Sequence, residues 1–159
     1  MKRFRRAASL ALAVVAVLGL TGSAAAGEQV PLKGGYEGED IGTLVAPPIV
    51  SAKVTAAGRA TLLGRFTYVQ VVTVNTATGM GSGSFQITAA NGDTVYGSVV
   101  GQARMTAPGV LTILETATIE GGTGRFEGAT GSFDVTRLKN SVTNETIRSF
   151  EGTISSPGS

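Results

Sequence analysis

The sequence contains no cysteine, no histidine and no tryptophan. Without cysteine the chain forms no disulfides, so its stability has to come from packing and backbone pairing. Without histidine or cysteine, an ordinary zinc, copper or haem site is excluded, and so is a Ser-His-Asp or Cys-His catalytic group. We therefore expect no metal and no cofactor, and any chemistry is left to carboxylates, Lys, Arg, Tyr, Ser and Thr.

A basic cluster is also lacking outside the N-terminus. The chain has 13 Lys and Arg against 11 Asp and Glu, but four of the basic residues lie in the first six positions: Lys2, Arg3, Arg5 and Arg6. The rest of the chain therefore carries more acidic than basic residues. It offers no electrostatic footprint for nucleic acid or for an anionic membrane surface, and we expect neither as a partner.

Residues 1–26 have the pattern of a secretory signal peptide. The basic start is followed by an apolar run over residues 10–20 and by Ala24-Ala25-Ala26, which fits an A-x-A cleavage site. The apolar run is too short to span a bilayer, which needs ~20 residues. We expect cleavage after Ala26, no stable membrane anchor afterwards and a secreted or periplasmic location; a retained membrane anchor is the alternative.

After this leader the chain is patterned as an all-β protein. Residues 64–75, "GRFTYVQVVTVN", alternate with period two, and Phe66, Tyr68 and Gln70 share one face. Asn91-Gly92 joins two further strand patterns and is the dipeptide of a type I′ hairpin turn. With weaker candidates near residues 41–45 and 49–55, we count about eight strands at short, even spacing.

Eight antiparallel strands in sequence order would leave two unpaired edges, which closure into a barrel removes. Such a barrel is filled by its own side chains or holds one small ligand. Glycines inside the strand patterns suit the bends of a small, tightly curved barrel. We therefore predict an eight-stranded antiparallel barrel over residues 41–155, after a flexible N-terminal segment at 27–40 and before a C-terminal tail at 156–159; a two-sheet sandwich is the alternative.

The segment "GGTGRFEGATGSF", residues 121–133, is the most specialised in the chain. It lacks the helix that follows a dinucleotide-binding fingerprint and the Gly-Lys-Ser/Thr of a P-loop, so it does not predict nucleotide binding. Its glycines instead let a strand turn over the barrel end and re-enter the wall, with Phe126 as a plug. The structural motif comprises Gly121, Gly122, Gly124, Phe126, Gly128, Gly131 and Phe133.

The same segment resembles the G-G-(S/T/A)-G-x-F-E-G-A-x-G motif of plant allene oxide cyclases, and a looser form is found in dirigent proteins. The resemblance extends over roughly residues 66–154. With "GRATLLGRFT", "TAANGDTVYG" and "GTIS", the chain more closely resembles small exported bacterial proteins of unassigned function. Both resemblances imply an eight-stranded antiparallel barrel, and the plant relatives imply a homo-oligomer, a dimer or trimer. No motif assigns the cyclases' glutamate to Glu37, Glu39 or Asp40, so no catalytic residue is carried over.

Four side chains are candidate ligand contacts inside the barrel or at its rim: Tyr68, Tyr96, Glu115 and Arg137. Glu115 is in step with apolar residues on one face of its strand, but the opposite face could equally point inward and leave Glu115 solvated. Arg137 could pair with such a carboxylate or be an ordinary surface arginine. Either tyrosine could instead be a wall residue.

Three functions fit this pattern. The first two are a module that binds a small apolar ligand and a structural or interaction module with a solid barrel. The alternative is an enzyme, a cyclase or isomerase that works by confinement and a single carboxylate. An apolar cavity would favour binding, a cavity with buried Glu115 and Arg137 would favour catalysis, and a barrel without a cavity would favour the structural function.

Overall fold

The computed structural model describes residues 27–157. They form eight strands and one short 3₁₀ turn, Gly124–Phe126, between the sixth and seventh strands. The strands are β1 (Gln29–Ala46), β2 (Ile49–Ala60), β3 (Gly64–Asn75), β4 (Met80–Ala89), β5 (Thr94–Ala107), β6 (Val110–Gly122), β7 (Gly131–Asn140) and β8 (Glu145–Ser155). The predicted signal peptide lies outside these residues. Within residues 27–157 no helix is long and apolar enough to cross a membrane.

The strands form a closed antiparallel barrel in sequence order. Each strand pairs with the one that follows it, and β1 closes the ring on β8 from Gln29 opposite Ser155 to Glu39 opposite Glu145. Closure leaves no unpaired sheet edge among the described strands, which is the physical reason that favoured a barrel over a sandwich. The predicted eight-stranded antiparallel barrel is confirmed.

Two details differ from the sequence-based expectation. β1 begins at Gln29 rather than near residue 41, so residues 29–40, expected to precede the barrel, form part of its wall. Several glycines and charged residues hide the alternation in this stretch. The hairpin between β4 and β5 is present, but its turn is not type I′, because only Gly92 has a positive φ. Gly92 N–H donates to the Ala89 carbonyl, which is the pattern of a type I turn followed by a left-handed glycine.

Because consecutive strands are antiparallel, alternate loops lie at the same end of the barrel. The β2–β3, β4–β5 and β6–β7 loops form one end, which we name the closed end. The β1–β2, β3–β4, β5–β6 and β7–β8 loops form the other, which we name the open end. The aromatic core fills the closed half, where neighbouring rings have centroids 4.5 to 6.1 Å apart. Its members are Tyr36, Phe66, Tyr68, Phe85, Phe133 and Phe150.

The glycine-rich segment closes this end. Phe126 is buried in the core, and Gly124 and Gly128 take left-handed backbone conformations that let the chain turn over the barrel. Arg125 contacts two other loops: its Nε lies 3.0 Å from Asp93 Oδ2, and its Nη2 donates to the Leu62 carbonyl. The segment is therefore tied to both neighbouring loops of the closed end.

Inward-facing glycines let the strands bend tightly. Gly97 on β5 faces the interior, and a Cβ there would overlap the carbonyl oxygen of Thr118 on β6. Gly83 on β4 has the same relation to the carbonyl of Val71 on β3. At these two positions the backbones of adjacent strands approach too closely for any side chain.

Candidate functional site

A cavity of about 220 Å³ occupies the open half of the barrel. Its wall is mainly aliphatic, and its polar lining consists of four charged side chains and one threonine. The aliphatic wall includes Val50, Ala52, Val72, Val74, Val99, Leu111 and Ile113; the polar lining is Asp40, Thr76, Glu115, Arg137 and Lys139.

The cavity follows from the size of the inward-facing residues. In the closed half these residues are aromatic, whereas in the open half several are glycine or alanine, among them Gly42, Gly81 and Gly101. Gly101 lies directly opposite Glu115, and a Cβ at Gly101 would lie 2.6 Å from Glu115 Cγ. This glycine therefore makes room for a carboxylate in the interior.

Arg137 on β7 bridges the two carboxylates of the cavity. Its Nη1 donates a hydrogen bond to Asp40 Oδ2 on β1, and its Nη2 donates to Glu115 Oε1 on β6 at 3.1 Å. Lys139, two residues further along β7 and on the same face, places Nζ 3.0 Å from Asp40 Oδ1. Asp40, Glu115 and Arg137 are buried, and Lys139 is slightly exposed. The four side chains form a charged layer between the cavity and the aromatic core.

A second tier of hydrogen bonds supports Glu115 from the core side. Gln70 Nε2 donates to Glu115 Oε1 at 2.7 Å, and the Tyr68 hydroxyl donates to Gln70 Oε1 at 2.7 Å. Arg148 Nη1 also donates to Gln70 Oε1, at 3.0 Å, and lies 3.9 Å from Glu115 Oε2. Burial, and next to it the negative charge of Glu115, raise the pKa of Tyr68, so this hydroxyl stays protonated and acts as a donor.

Arg148 carries a buried positive charge with little direct compensation. Its guanidinium lies over two tyrosine rings, 4.0 Å from the centroid of Tyr36 and 4.8 Å from that of Tyr68. Cation-π attraction of this kind is worth about 2 kcal/mol when desolvated. Loss of solvation on burial lowers the pKa of Arg148 well below its ordinary value.

The interior therefore has an excess of positive charge. Two carboxylates, Asp40 and Glu115, face three cations, Arg137, Arg148 and Lys139. Within residues 27–157, the buried side-chain atoms of this cluster without a hydrogen-bond partner are three donors, Arg137 Nε and both Nε and Nη2 of Arg148, and two acceptors, Asp40 Oδ1 and Glu115 Oε2. Two of the three unpaired donors belong to Arg148, which does not line the cavity, and the charged side chains that do line it are balanced, two carboxylates against two cations.

The structure brings three of the four predicted contact residues into this cluster. Glu115, with 6% exposure, and Arg137, with 3%, are both interior; the alternatives of a solvated Glu115 and a surface Arg137 do not hold. The strand register places them on adjacent strands, where the charge of each compensates the charge of the other. Tyr68 is interior, with its hydroxyl bonded in the core rather than at the rim. Tyr96 is on the outer face and 43% exposed, because β5 presents Val95 and Gly97 to the interior instead.

Sequence reasoning missed Asp40, Lys139 and Arg148 as site residues. Each is a charged residue in step with buried apolar ones: Asp40 with Tyr36, and Arg148 with Phe150. The signal of such a site residue is a charged side chain on the apolar face of a strand. The sequence shows this signal at Arg148, but Asp40 could not be identified in the same way because β1 was not predicted to extend back to Tyr36.

The same residues contain no metal site. Within the described chain no group of three or more Asp, Glu, His or Cys side chains could hold a metal ion.

Comparisons with protein-family models, with curated proteins and with solved structures find no match to this chain.

Proposed function

We propose that this protein binds one small, mainly apolar molecule in the open half of its barrel. The observation that carries the proposal is the 220 Å³ cavity, with an aliphatic wall and a few convergent polar groups. Ligand sites in proteins combine these two features, because the wall supplies affinity and the polar groups fix the orientation. The packed aromatic half supports the site as a rigid base. In a barrel with a purely structural function, this half would be expected to be filled by side chains as well.

Catalysis at the same site is the second candidate. It is favoured by Glu115 and Arg137, which lie together in the cavity, and by the resemblance of residues 121–133 to allene oxide cyclases. A cyclase or isomerase that works by confinement would use a carboxylate in such a place. We rank it below binding because the carboxylate oxygens are mostly engaged. Glu115 Oε1 accepts from Gln70 and Arg137, and only Oε2 is without a hydrogen bond.

We further propose that the protein is exported and belongs among the small barrel proteins of the allene oxide cyclase and dirigent type. The leader pattern of residues 1–26 supports export, and the glycine-rich segment over the closed end supports the family assignment. Association of copies is proposed for the outer surface of β5 and β6, where Val100 and Leu114 lie close together on adjacent strands and are each 55% exposed or more. Exposed apolar residues in one area are typical of a protein contact.

Native mass spectrometry of the purified protein tests binding and assembly together. A bound species of low mass is expected, and it should be lost from Ala52→Leu, which fills the cavity, and kept by Ala57→Leu on the outer face of β2. A mass equal to that of the bare chain at several protein concentrations, with no ligand in solvent extracts, would contradict the proposal.

Catalysis is then separated from binding with the extracted ligand. Incubated with fresh protein, a ligand that is only bound is recovered unchanged on chromatography. A substrate of a cyclase or isomerase is converted to a product of the same mass but different retention. In that case Glu115→Gln should abolish the conversion and Glu120→Gln, on the outer face of the same strand, should not.

A further inference from the structure

The open end of the barrel carries exposed apolar side chains that the closed end lacks. Five large ones lie in or beside the four loops of the open end, and each is more than half exposed. We name them the rim: Leu44, Val45, Met80, Met105 and Val142. In the loops of the closed end, within residues 27–157, the only exposed large apolar side chain is Leu62, at 39%. The two ends therefore differ sharply in their affinity for water.

Charge is distributed in the opposite way. The closed-end segments 59–65, 90–94 and 120–128 contain six charged residues: Arg59, Arg65, Asp93, Glu120, Arg125 and Glu127. The segments that form the open end contain none; they are residues 44–50, 75–81, 105–111 and 140–144. Taking these segments out of water therefore carries no cost of desolvating a charge.

The charged residues that border the open-end segments give no net attraction to a charged partner. Lys139 is paired with Asp40 inside the barrel. Arg104 and Glu145 are both exposed and have opposite signs. Any contact made by this end therefore has to depend on apolar surface.

The shape of the rim does not suit a second copy of the chain. Its side chains come from four separate hairpin ends and surround the mouth of the cavity, so they form a ring and not a continuous patch. A stable interface takes about 20–30 residues from each partner, packed with good complementarity. Two rims facing each other would touch only along the ring and would enclose an empty centre.

A lipid surface suits this ring. Fluid lipid admits separate apolar side chains without a complementary shape, and each one that leaves water favours the contact. The loops also expose backbone polar groups, which the wet headgroup layer can satisfy but the hydrocarbon core cannot. The contact is therefore limited to the interface. In that position the mouth of the cavity faces the lipid.

We propose that the open end docks reversibly on a lipid surface of low net charge, with the rim in the headgroup layer. This inference goes beyond the binding of a ligand, because it concerns the outside of the mouth and holds whether the cavity is filled or empty. It requires that the open end alone touches the lipid and that the contact is apolar.

Single cysteines at the two ends test the orientation, because the chain has no cysteine of its own. Ala77→Cys lies in the β3–β4 loop at the open end, and Ala90→Cys lies in the β4–β5 loop at the closed end; both alanines are exposed. Each variant carries an environment-sensitive nitrobenzoxadiazole label and is titrated with phosphatidylcholine vesicles. The emission of the Ala77→Cys label should rise and shift to the blue, and that of the Ala90→Cys label should not change. Both proteins share residues 1–26, so the difference between them reports the end that touches lipid.

Two double variants in the labelled Ala77→Cys protein locate the contact. Met105→Asp with Val142→Asp should raise the vesicle concentration needed for half of the change at least about tenfold. Val69→Asp with Leu138→Asp, which replaces exposed apolar residues of the outer wall, should not raise it. An increase in salt from about 0.1 to 1 M should not weaken docking, because no charge is involved. Circular dichroism and thermal melting show that each variant is folded.

The outcomes separate this inference from the proposed function. Ala52→Leu, which fills the cavity, should dock as before; loss of docking in this variant would overturn the inference, since the cavity and not the rim would hold the lipid. No response of the Ala77→Cys label, or an equal response of both labels, would also overturn it. So would docking that needs anionic lipid and is lost at high salt, or a rim that proves by sedimentation velocity to join two copies. If native mass spectrometry finds no bound ligand but the Ala77→Cys label still responds, only the ligand proposal fails.

Discussion

Replacement of Arg137 by leucine tests whether its guanidinium contacts two carboxylates inside the barrel. The substitution leaves Asp40 and Glu115 buried without the guanidinium that bridges them. Breaking a buried ion pair from one side costs about 3–5 kcal/mol in free energy of unfolding. We expect the lower end, about 3 kcal/mol, because Lys139 still lies beside Asp40 and Gln70 still donates to Glu115.

Urea unfolding followed by far-ultraviolet circular dichroism measures this loss, and the chain's lack of tryptophan makes the backbone signal the suitable probe. For a domain of this size the melting temperature should fall by ~10 °C. Arg104→Leu, near the open end of β5 and exposed, is the matched control and should change stability by less than about 0.5 kcal/mol.

A double substitution makes the test specific to the pair. Glu115→Leu combined with Arg137→Leu removes both charges, so the double variant should be more stable than the sum of the single losses predicts, by 1 kcal/mol or more on the scale of measured coupling energies. If Arg137→Leu cost less than about 1 kcal/mol, or if the two losses were simply additive, the reasoning that places these side chains in contact in the interior would be refuted.

Three further predictions concern the rest of the barrel. The pKa of Asp93 is lowered, chiefly by the hydrogen bond from the Asn91 side chain. The ionised carboxylate therefore stabilises the fold above pH ~4, the pKa of an unfolded Asp, and this contribution should be lost as the pH falls through the lower pKa of the folded protein. Urea unfolding at several pH values measures the loss. Gly97→Ala should destabilise the barrel by about 1–3 kcal/mol in the same assay, because the new methyl group overlaps the backbone of β6. Arg59 and Arg65 lie directly opposite each other on the outer face, so Arg65→Glu should raise stability by about 0.5 kcal/mol at low salt and less at high salt.

Each of these has a control and an outcome that contradicts it. The stability difference between the natural protein and Asp93→Asn should shrink at low pH; a constant difference would show that the carboxylate charge does not matter. Ser98→Ala, on the outer face beside Gly97, should be neutral, and a Gly97→Ala barrel as stable as that variant would disprove the close approach. An Arg65→Glu variant whose stability is unaffected by salt would show that the two arginines do not interact.

Much of the fold could be predicted from the sequence because alternation and turn chemistry are local properties. Residues 64–75 alternate clearly, and β3 lies at that position. The strand from Gln29 could not be recognised, since its interior face mixes Gly34 and Gly38 with larger residues and provides no continuous apolar row. Where interior positions of a strand are glycines, there is no side chain to produce the apolar alternation that identifies a strand.

The site could be predicted only in part, because it depends on the register between strands. Alternation placed Glu115 with apolar neighbours, but both faces of β6 carry residues suited to an interior. Only pairing with β5 and β7 shows that Gly101 leaves room for this carboxylate and that Arg137 lies close to it. The division into a packed and an open half could not be predicted from single strands. Phe66 and Phe133 lie near the start of their strands, but Phe85 and Phe150 lie at the middle of theirs, and only the register brings these rings together.

The seam between β1 and β8 means that the first and last strands of the chain are neighbours in the wall, with Gln29 opposite Ser155 at the closed end. A short peptide could therefore join residues 27 and 157, and the described chain could be reopened at the β5–β6 turn with all eight strand pairings preserved. Such a circular permutant would carry its new ends beside the cavity instead of opposite it. In the natural order, residues 27 and 157, the ends of the described chain, both lie at the closed end, so a tether attached at either would leave the cavity facing away from the support.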